Sequence, residues 1–217
     1  MTNYNFQKWR SLIDGQEVSA IPDSVVDNFE EILYEDEGNT LGDYYAGDLS
    51  GFEREQSIVF EGDFSLNVVG GRDSISSTSG LPNYPGQGDT FSVWEYEVGS
   101  VNNTDAGILF GVQFEGSDPD SYYTRVRPNG DRIQLFKIEN GNFTELFDKT
   151  LHAHLEEWYQ YVIDWGTDGS INITINDESG TELGSVSETD NTYTGGGIGF
   201  RASFEGETYW DLFEIID

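Results

Sequence analysis

Two glutamates two residues apart, Glu95 and Glu97 in Trp94-Glu95-Tyr96-Glu97, are the first residues in this sequence that could do chemistry. A strand alternates its side chains, so both carboxyls belong on one sheet face. Paired carboxyl groups are the equipment of general acid–base work. A second pair is His152 and His154 in LHAHLEEW, where two imidazoles on one strand face could begin a transition-metal site. No third ligand accompanies them, and the chain has no other histidine, so they read as an exposed pair. A third group is Tyr44, Tyr45, Tyr84 and Tyr122, which lie in or beside polar loops. There an amphipathic ring could stack on a pyranose face. No Gly-rich phosphate loop, serine-nucleophile elbow or zinc signature is present. Cysteine is absent, which removes disulfides and thiolate metal sites. Asn102, Asn142 and Asn172 stand in N-x-[ST] sequons, acceptors wherever glycosylation operates.

Strands must position these residues. INITIND alternates, with Ile171, Ile173 and Ile175 on one side and Asn172, Thr174 and Asn176 on the other. GIGFRAS repeats the pattern with Ile198, Phe200 and Ala202. FSVWEYEV, GILFGVQF, SYYTRVR, DRIQLFKI, EWYQYVIDW and TYWDLFEII are rich in β-branched and aromatic residues. In EWYQYVIDW, Tyr159, Tyr161 and Trp165 share one face and are assigned to the core. Pro128-Asn129-Gly130, Asn140-Gly141, Asp168-Gly169 and Ser179-Gly180 supply turns between strands. Short strands at this spacing, without a long helical pattern, predict an all-β antiparallel sandwich. The stretch Gly70 to Asp89 reads as the longest polar loop.

Composition limits the function classes. The 217 residues carry 41 Asp plus Glu against 10 Lys plus Arg, a formal net charge of -31, and only three of the ten cations are lysines. At 14% aromatic residues the acidity is not that of a disordered chain. No basic patch exists to meet phosphates, which argues against nucleic acid, and no apolar run is long enough to insert in a membrane. Such a charge strains the compact state in dilute buffer, whereas in molar salt the screening length drops to roughly 3 Å. This balance resembles that of proteins from salt-saturated cells and their viruses. The start of the chain has no apolar h-region or cleavage site, so it does not read as a secretory signal.

Residues 1–24 form a segment of their own. Lys8 and Arg10 precede any acid, and Phe6, Trp9, Leu12 and Ile13 fall at roughly helical spacing before Asp14-Gly15. The spacing predicts a short amphipathic helix or turn and then a linker. Phe6, Trp9, Arg10, Leu12 and Ile13 are its candidate partner-docking residues, with folding back onto the sandwich as the alternative. Residues 25–217 form the second unit.

SYYTRVRPNGDRIQLFKIENG, EEWYQYVIDWGTDGSINITIND and TYTGGGIGFRAS together resemble the laminin-G-like branch of the concanavalin A-like lectin and glucanase fold. DNFEEIL and YWDLFEI are similar to the two terminal strands that lie side by side in such jelly rolls. The resemblance implies a two-sheet jelly-roll sandwich over about residues 25–217. It also implies a structural calcium ion held by Glu30 and Asp211, with Asp63 or its carbonyl as third contributor. Hard oxygen donors suit that ion. Laminarinase-type hydrolases of this fold carry E-x-D-x-E on one strand. Here the position after Glu95 and Glu97 is Gly99, so the motif fails and the pair reads as a solvated strand face.

The function expected is therefore non-enzymatic. The reading is a haloarchaeal virus particle component of turret, spike, decoration or tail-fibre type, presenting a lectin-like sandwich to a cell-surface glycan. Its expected partners are other structural subunits and further copies of itself, on a virion or extracellular surface in high salt. The alternative is a cellular carbohydrate-binding domain or a divergent glycoside hydrolase of a haloarchaeon.

Overall fold

The computed structural model describes residues 10–13, 16–19, 24–30, 40–69, 72–98, 106–153, 155–203 and 207–216. Among the described residues, strands β1 (Arg10–Ile13) and β2 (Gln16–Ser19) pair only with each other, as a two-stranded antiparallel sheet. This corrects the helix expected there. Asp14-Gly15 between them is a hairpin dipeptide as well as a helix stop, and four apolar residues cannot fix a period. Phe6 and Trp9 lie outside the described residues, and for Arg10, Leu12 and Ile13 only the backbone is described.

The sandwich begins with β3 (Val25–Asp27), β4 (Ala46–Gly47), β5 (Phe52–Glu55), β6 (Ser65–Val69), β7 (Arg72–Ser77) and β8 (Thr90–Val98). It continues with β9 (Gly107–Val112), β10 (Ser121–Arg127), β11 (Arg132–Glu139), β12 (Asn142–Thr150) and β13 (Trp158–Trp165). It ends with β14 (Ser170–Asp177), β15 (Glu182–Thr189), β16 (Gly197–Ser203) and β17 (Glu207–Ile215). One sheet has seven strands in the order β12-β11-β10-β9-β16-β7-β4. The other runs β15-β14-β13-β8-β17-β6-β5, with β3 pairing β17 as its eighth strand. The chain is thus an all-β antiparallel two-sheet sandwich. Its terminal strands lie side by side, Asp27 opposite Phe213, as the resemblance implied. β7 corrects the reading of 70–89 as one loop: its Ser-rich sequence hides a strand whose Ile75 is fully buried.

The core lies between the sheets and is largely aromatic. Trp165 meets Phe110 and Tyr122 edge-on, at ring centroids of 5.4 and 5.8 Å, the geometry favoured by ring quadrupoles. Gly111 makes this possible, since its φ is +61° and a Cβ there would sit 2.9 Å from the Trp165 ring. Tyr159, Tyr161, Ile171, Ile173, Ile175, Ile198 and Phe200 are buried as the alternation predicted. No helix among the described residues is long and apolar enough to cross a membrane.

Candidate functional site

Glu95 and Glu97 are not a solvated face, which corrects the sequence reading: both are fully buried. On β8 the set Phe91, Val93, Glu95, Glu97 points between the sheets. Trp94, Tyr96 and Val98 point outward into a separate apolar cluster with Trp158 and Tyr209. That cluster is covered by the 56–64 loop, whose Phe60 stacks on Trp94 at 3.7 Å. Inside, Glu95 Oε2 accepts the Trp210 indole N–H at 2.6 Å and Oε1 accepts the Tyr161 hydroxyl at 3.0 Å. The Tyr161 oxygen in turn accepts the Val126 N–H at 2.7 Å, linking the two sheets. Burial pushes the Glu95 carboxyl up to about 7, against the pull of its two donors. Burial, together with the charges of Glu95 and Glu97, pushes Tyr161 well above the usual phenol range. A carboxyl sealed in a core reaches no substrate, so the pair does not form a hydrolytic site.

Glu30 and Asp211 converge on the loop over the outer face. Glu30 Oε1 accepts the N–H groups of Asp63 (2.8 Å) and Phe64 (3.2 Å), and Asp211 Oδ2 accepts those of Phe60 (2.9 Å) and Glu61 (3.0 Å). Positive φ angles at Phe29 (57°) and Leu212 (45°) adjoin both acids. For L-residues that conformation is uncommon and costs energy. Burial first, with the Glu30 charge adding to it, pushes Asp211 up to about 7. Burial also raises Glu30, with the Asp63 charge adding, while amide bonds and the Arg54 charge oppose it. Two hard, mutually repelling carboxylates suit the chemistry of one divalent cation. Asp63, however, meets Glu30 through its main-chain N–H, and no group of three or more His, Asp or Glu side chains is arranged to hold a metal among the described residues. His152 is 78% exposed and lies 3.3 Å from Asp131, and His154 is outside the described residues.

The structure separates the four tyrosines. Tyr45 is buried with its hydroxyl on Asp27 (2.7 Å), and Tyr122 is buried with its hydroxyl on Asp190 (2.6 Å). Both are core side chains with satisfied tips, which corrects their assignment to loops that meet a ligand. Tyr44 packs beside Gly80 and is partly buried. Tyr84, half-buried, lines a cavity of about 430 Å³ with Thr78, Pro85, Gly86, Val112, Gln113 and Gly195 to Gly197.

That cavity lies where two bare backbone segments meet. Gly86 bridges Gly195 across it, and Gly196 holds a φ of +143° that other residues rarely adopt. The wall is built by hydrogen bonds. Gln113 Nε2 donates to Gly111 O (2.8 Å) and Gly195 O (2.9 Å), which leaves its Oε1 as acceptor. Glu115 Oε1 accepts the Thr78 N–H and hydroxyl, both at 3.0 Å, and these bonds hold its carboxyl below the usual range. The Tyr84 hydroxyl is pinned by Ser77 Oγ (2.8 Å) and the Leu81 N–H (3.1 Å), so the ring is fixed as a wall. A cavity with a bare glycine floor, one fixed ring and a side-chain acceptor can hold a polar molecule with an apolar face. Of these residues only Tyr84 was singled out from sequence. The Gly195-Gly196-Gly197 run was visible as the start of a strand, and Gln113 carried no signal.

No family model matches the chain. An uncharacterized protein of Methanocaldococcus jannaschii is 26% identical over 139 residues, 61% of this chain, and the match spans only 14% of that protein's length. Among solved structures, the carbohydrate binding module CBM66 from Bacillus subtilis superposes with a TM-score of 0.56 at 12% identity, covering 75% of this chain and 93% of that one. The xylan β-1,4-xylosidase of Bacillus halodurans matches with a TM-score of 0.55 at 11% identity, covering 93% of this chain and 41% of that one. At these identities the likeness is one of fold.

Proposed function

We propose that this sandwich is a non-catalytic carbohydrate-binding module whose glycan sits in the glycine-floored cavity between Tyr84 and Gln113. The observation that carries the reading is the construction of that cavity. Bare backbone lets a ring approach closely, a fixed aromatic wall offers a face to stack on, and Gln113 Oε1 is free for a hydroxyl. The fold shared with a carbohydrate-binding module supports it, and the burial of Glu95 and Glu97 speaks against hydrolysis. On a glycan array in molar salt, the protein should bind, and Gln113→Ala should weaken binding by up to roughly tenfold, the upper scale for one lost hydrogen bond at about 1.4 kcal/mol. Gly195→Ala should weaken it too: a Cβ there meets Gly86 Cα at 3.7 Å, an ordinary contact, so it narrows the floor without disturbing the fold. Unchanged binding in both variants would move the glycan elsewhere.

Two finer parts of the reading have their own tests. One is a calcium ion shared by Glu30 and Asp211, with main-chain carbonyls or water completing its shell; the mutual repulsion of the two acids supports it. An ion bound only to the folded state raises stability with its concentration. Chelation should therefore lower the melting temperature of the wild type and have little effect on Asp211→Asn; equal responses would reject the site. The other is display on a virus particle in high salt, docked to other subunits through residues 1–24, with the net charge of -31 as its support. Deletion of residues 1–20 should leave a folded sandwich that no longer co-assembles. Unfolding of the truncated chain would instead assign the segment to the core.

A further inference from the structure

A second cavity of about 580 Å³ is lined by Gly47, Asp48, Ser117, Asp118 and Arg201. It shares a loop with the first: Gln113 lines one cavity, Ser117 and Asp118 the other. Five residues of chain reach at most roughly 18 Å, so the two linings come within that distance of each other. The loop between them is pinned from beneath. Glu115 is bonded to Thr78, the Gly116 N–H donates to Ser76 Oγ (2.9 Å), and Ser74 Oγ donates to Ser117 O. Both cavities are thus held in fixed relation by β7.

Arg201 gives the second cavity its character. Its Nη1 meets Asp118 at 2.9 Å and Ser117 O at 3.4 Å. Its guanidinium lies over the Phe143 ring at 5.1 Å, and Phe143 is 44% exposed. The lining holds one guanidinium and two carboxylates, so its formal charge is negative and an anionic ligand is disfavoured. Guanidinium and carboxylate side by side offer donors and acceptors to hydroxyl groups.

We infer that the two cavities are subsites for one glycan, and that this glycan is a neutral chain of several sugars rather than an acidic one. The inference rests on the glycan reading of the first cavity and adds a ligand class and a length. A short neutral sugar should fill the first cavity alone, and a longer one should gain contacts with Asp118 and Arg201.

The probes are neutral glucan, xylan and fructan oligosaccharides from disaccharide to hexasaccharide, with polygalacturonate and alginate as acidic counterparts, titrated by calorimetry in molar KCl. The expected result is a hexasaccharide bound roughly tenfold tighter than the disaccharide of the same series, about 1.4 kcal/mol. Asp118→Ala, at a side chain 61% exposed, should abolish that gain and leave disaccharide binding intact. Arg201→Ala should do the same, and its melting temperature checks that the loop survives. Equal affinity for short and long chains would overturn the shared site while leaving the single-cavity reading standing. Tighter binding of the acidic polymers would overturn the neutral class, and binding of no saccharide at all would reject the glycan reading itself.

Discussion

The melting temperature should fall as the pH is raised from about 4.5 to about 7, and a Glu95→Gln variant should lose the part of that fall due to this carboxyl. Glu95 is fully enclosed, with Trp210 and Tyr161 donating to it, and burial still dominates: its folded-state value is pushed up to about 7 from 4.5. Between those values the folded state holds a proton that the unfolded chain has released. The contribution of Glu95 to stability is therefore greatest below about 4.5, falls through the interval, and levels off above about 7. A shift of that size corresponds to on the order of 3 kcal/mol. Asp211, pushed up to about 7, adds a fall of the same sign. Asp43, Asp168 and Asp177, exposed and held low by hydrogen bonds, act in the opposite sense. The contribution of Glu95 is thus read from the difference between wild-type and Glu95→Gln curves. Parallel curves would show that the carboxyl does not titrate in this window. Glu95→Leu tests the network itself: it strands the Trp210 and Tyr161 donors in the core, at about 1–3 kcal/mol each, and should lower stability at every pH.

A larger effect is expected from salt. Moving the protein from molar KCl to about 0.1 M, where the Debye length grows to about 10 Å, should lower the melting temperature by about 10 °C or more. For a chain of this size such a drop reflects a few kcal/mol, a modest share of what 41 acids against 10 bases can generate. The fold makes the repulsion uneven. Arg72, Arg125, Arg127, Arg132, Lys137, Lys149 and Arg201 all belong to the seven-stranded sheet, whereas on the other sheet only Arg54 is cationic. Its edge strand β15 carries Glu182 and Glu188. Glu182→Lys with Glu188→Lys should recover part of the low-salt loss, and the same pair of changes made in molar salt should do little. A melting temperature indifferent to salt would sink the high-salt reading of the composition.

Much of the sandwich was legible because its signals are local. INITIND buries Ile171, Ile173 and Ile175 and leaves the residues between them part-exposed, and period-two burial needs no knowledge of the partner strand. The turns at Asn140-Gly141 and Asp168-Gly169 are likewise set by φ, positive at Asn140, Gly141 and Gly169. The candidate site was far less legible. Its lining is largely glycine backbone and one glutamine on loops, brought together by a bridge between Gly86 and Gly195 that are over a hundred positions apart. Tyr45 and Tyr122 sit in equally polar sequence, yet each meets a carboxylate acceptor that only the fold supplies.

Local pattern and composition set the class of structure: short alternating strands, enough aromatics to fill one core, and a charge that must be screened. Which face of β8 looks inward was decided only by the tertiary structure. Read by alternation, Trp94, Tyr96 and Val98 are the apolar set and Glu95 and Glu97 the polar one, so the glutamates should meet water. The fold inverts this because it can bury both faces. The 56–64 loop, fastened by its amides to Glu30 and Asp211, covers the outer aromatics with Phe60. Trp210 and Tyr161, from the strands on either side of β8, supply Glu95 with the hydrogen bonds that let a carboxyl lie in the core. A loop from thirty residues upstream and two donors from far downstream decide the matter, and no local pattern encodes either.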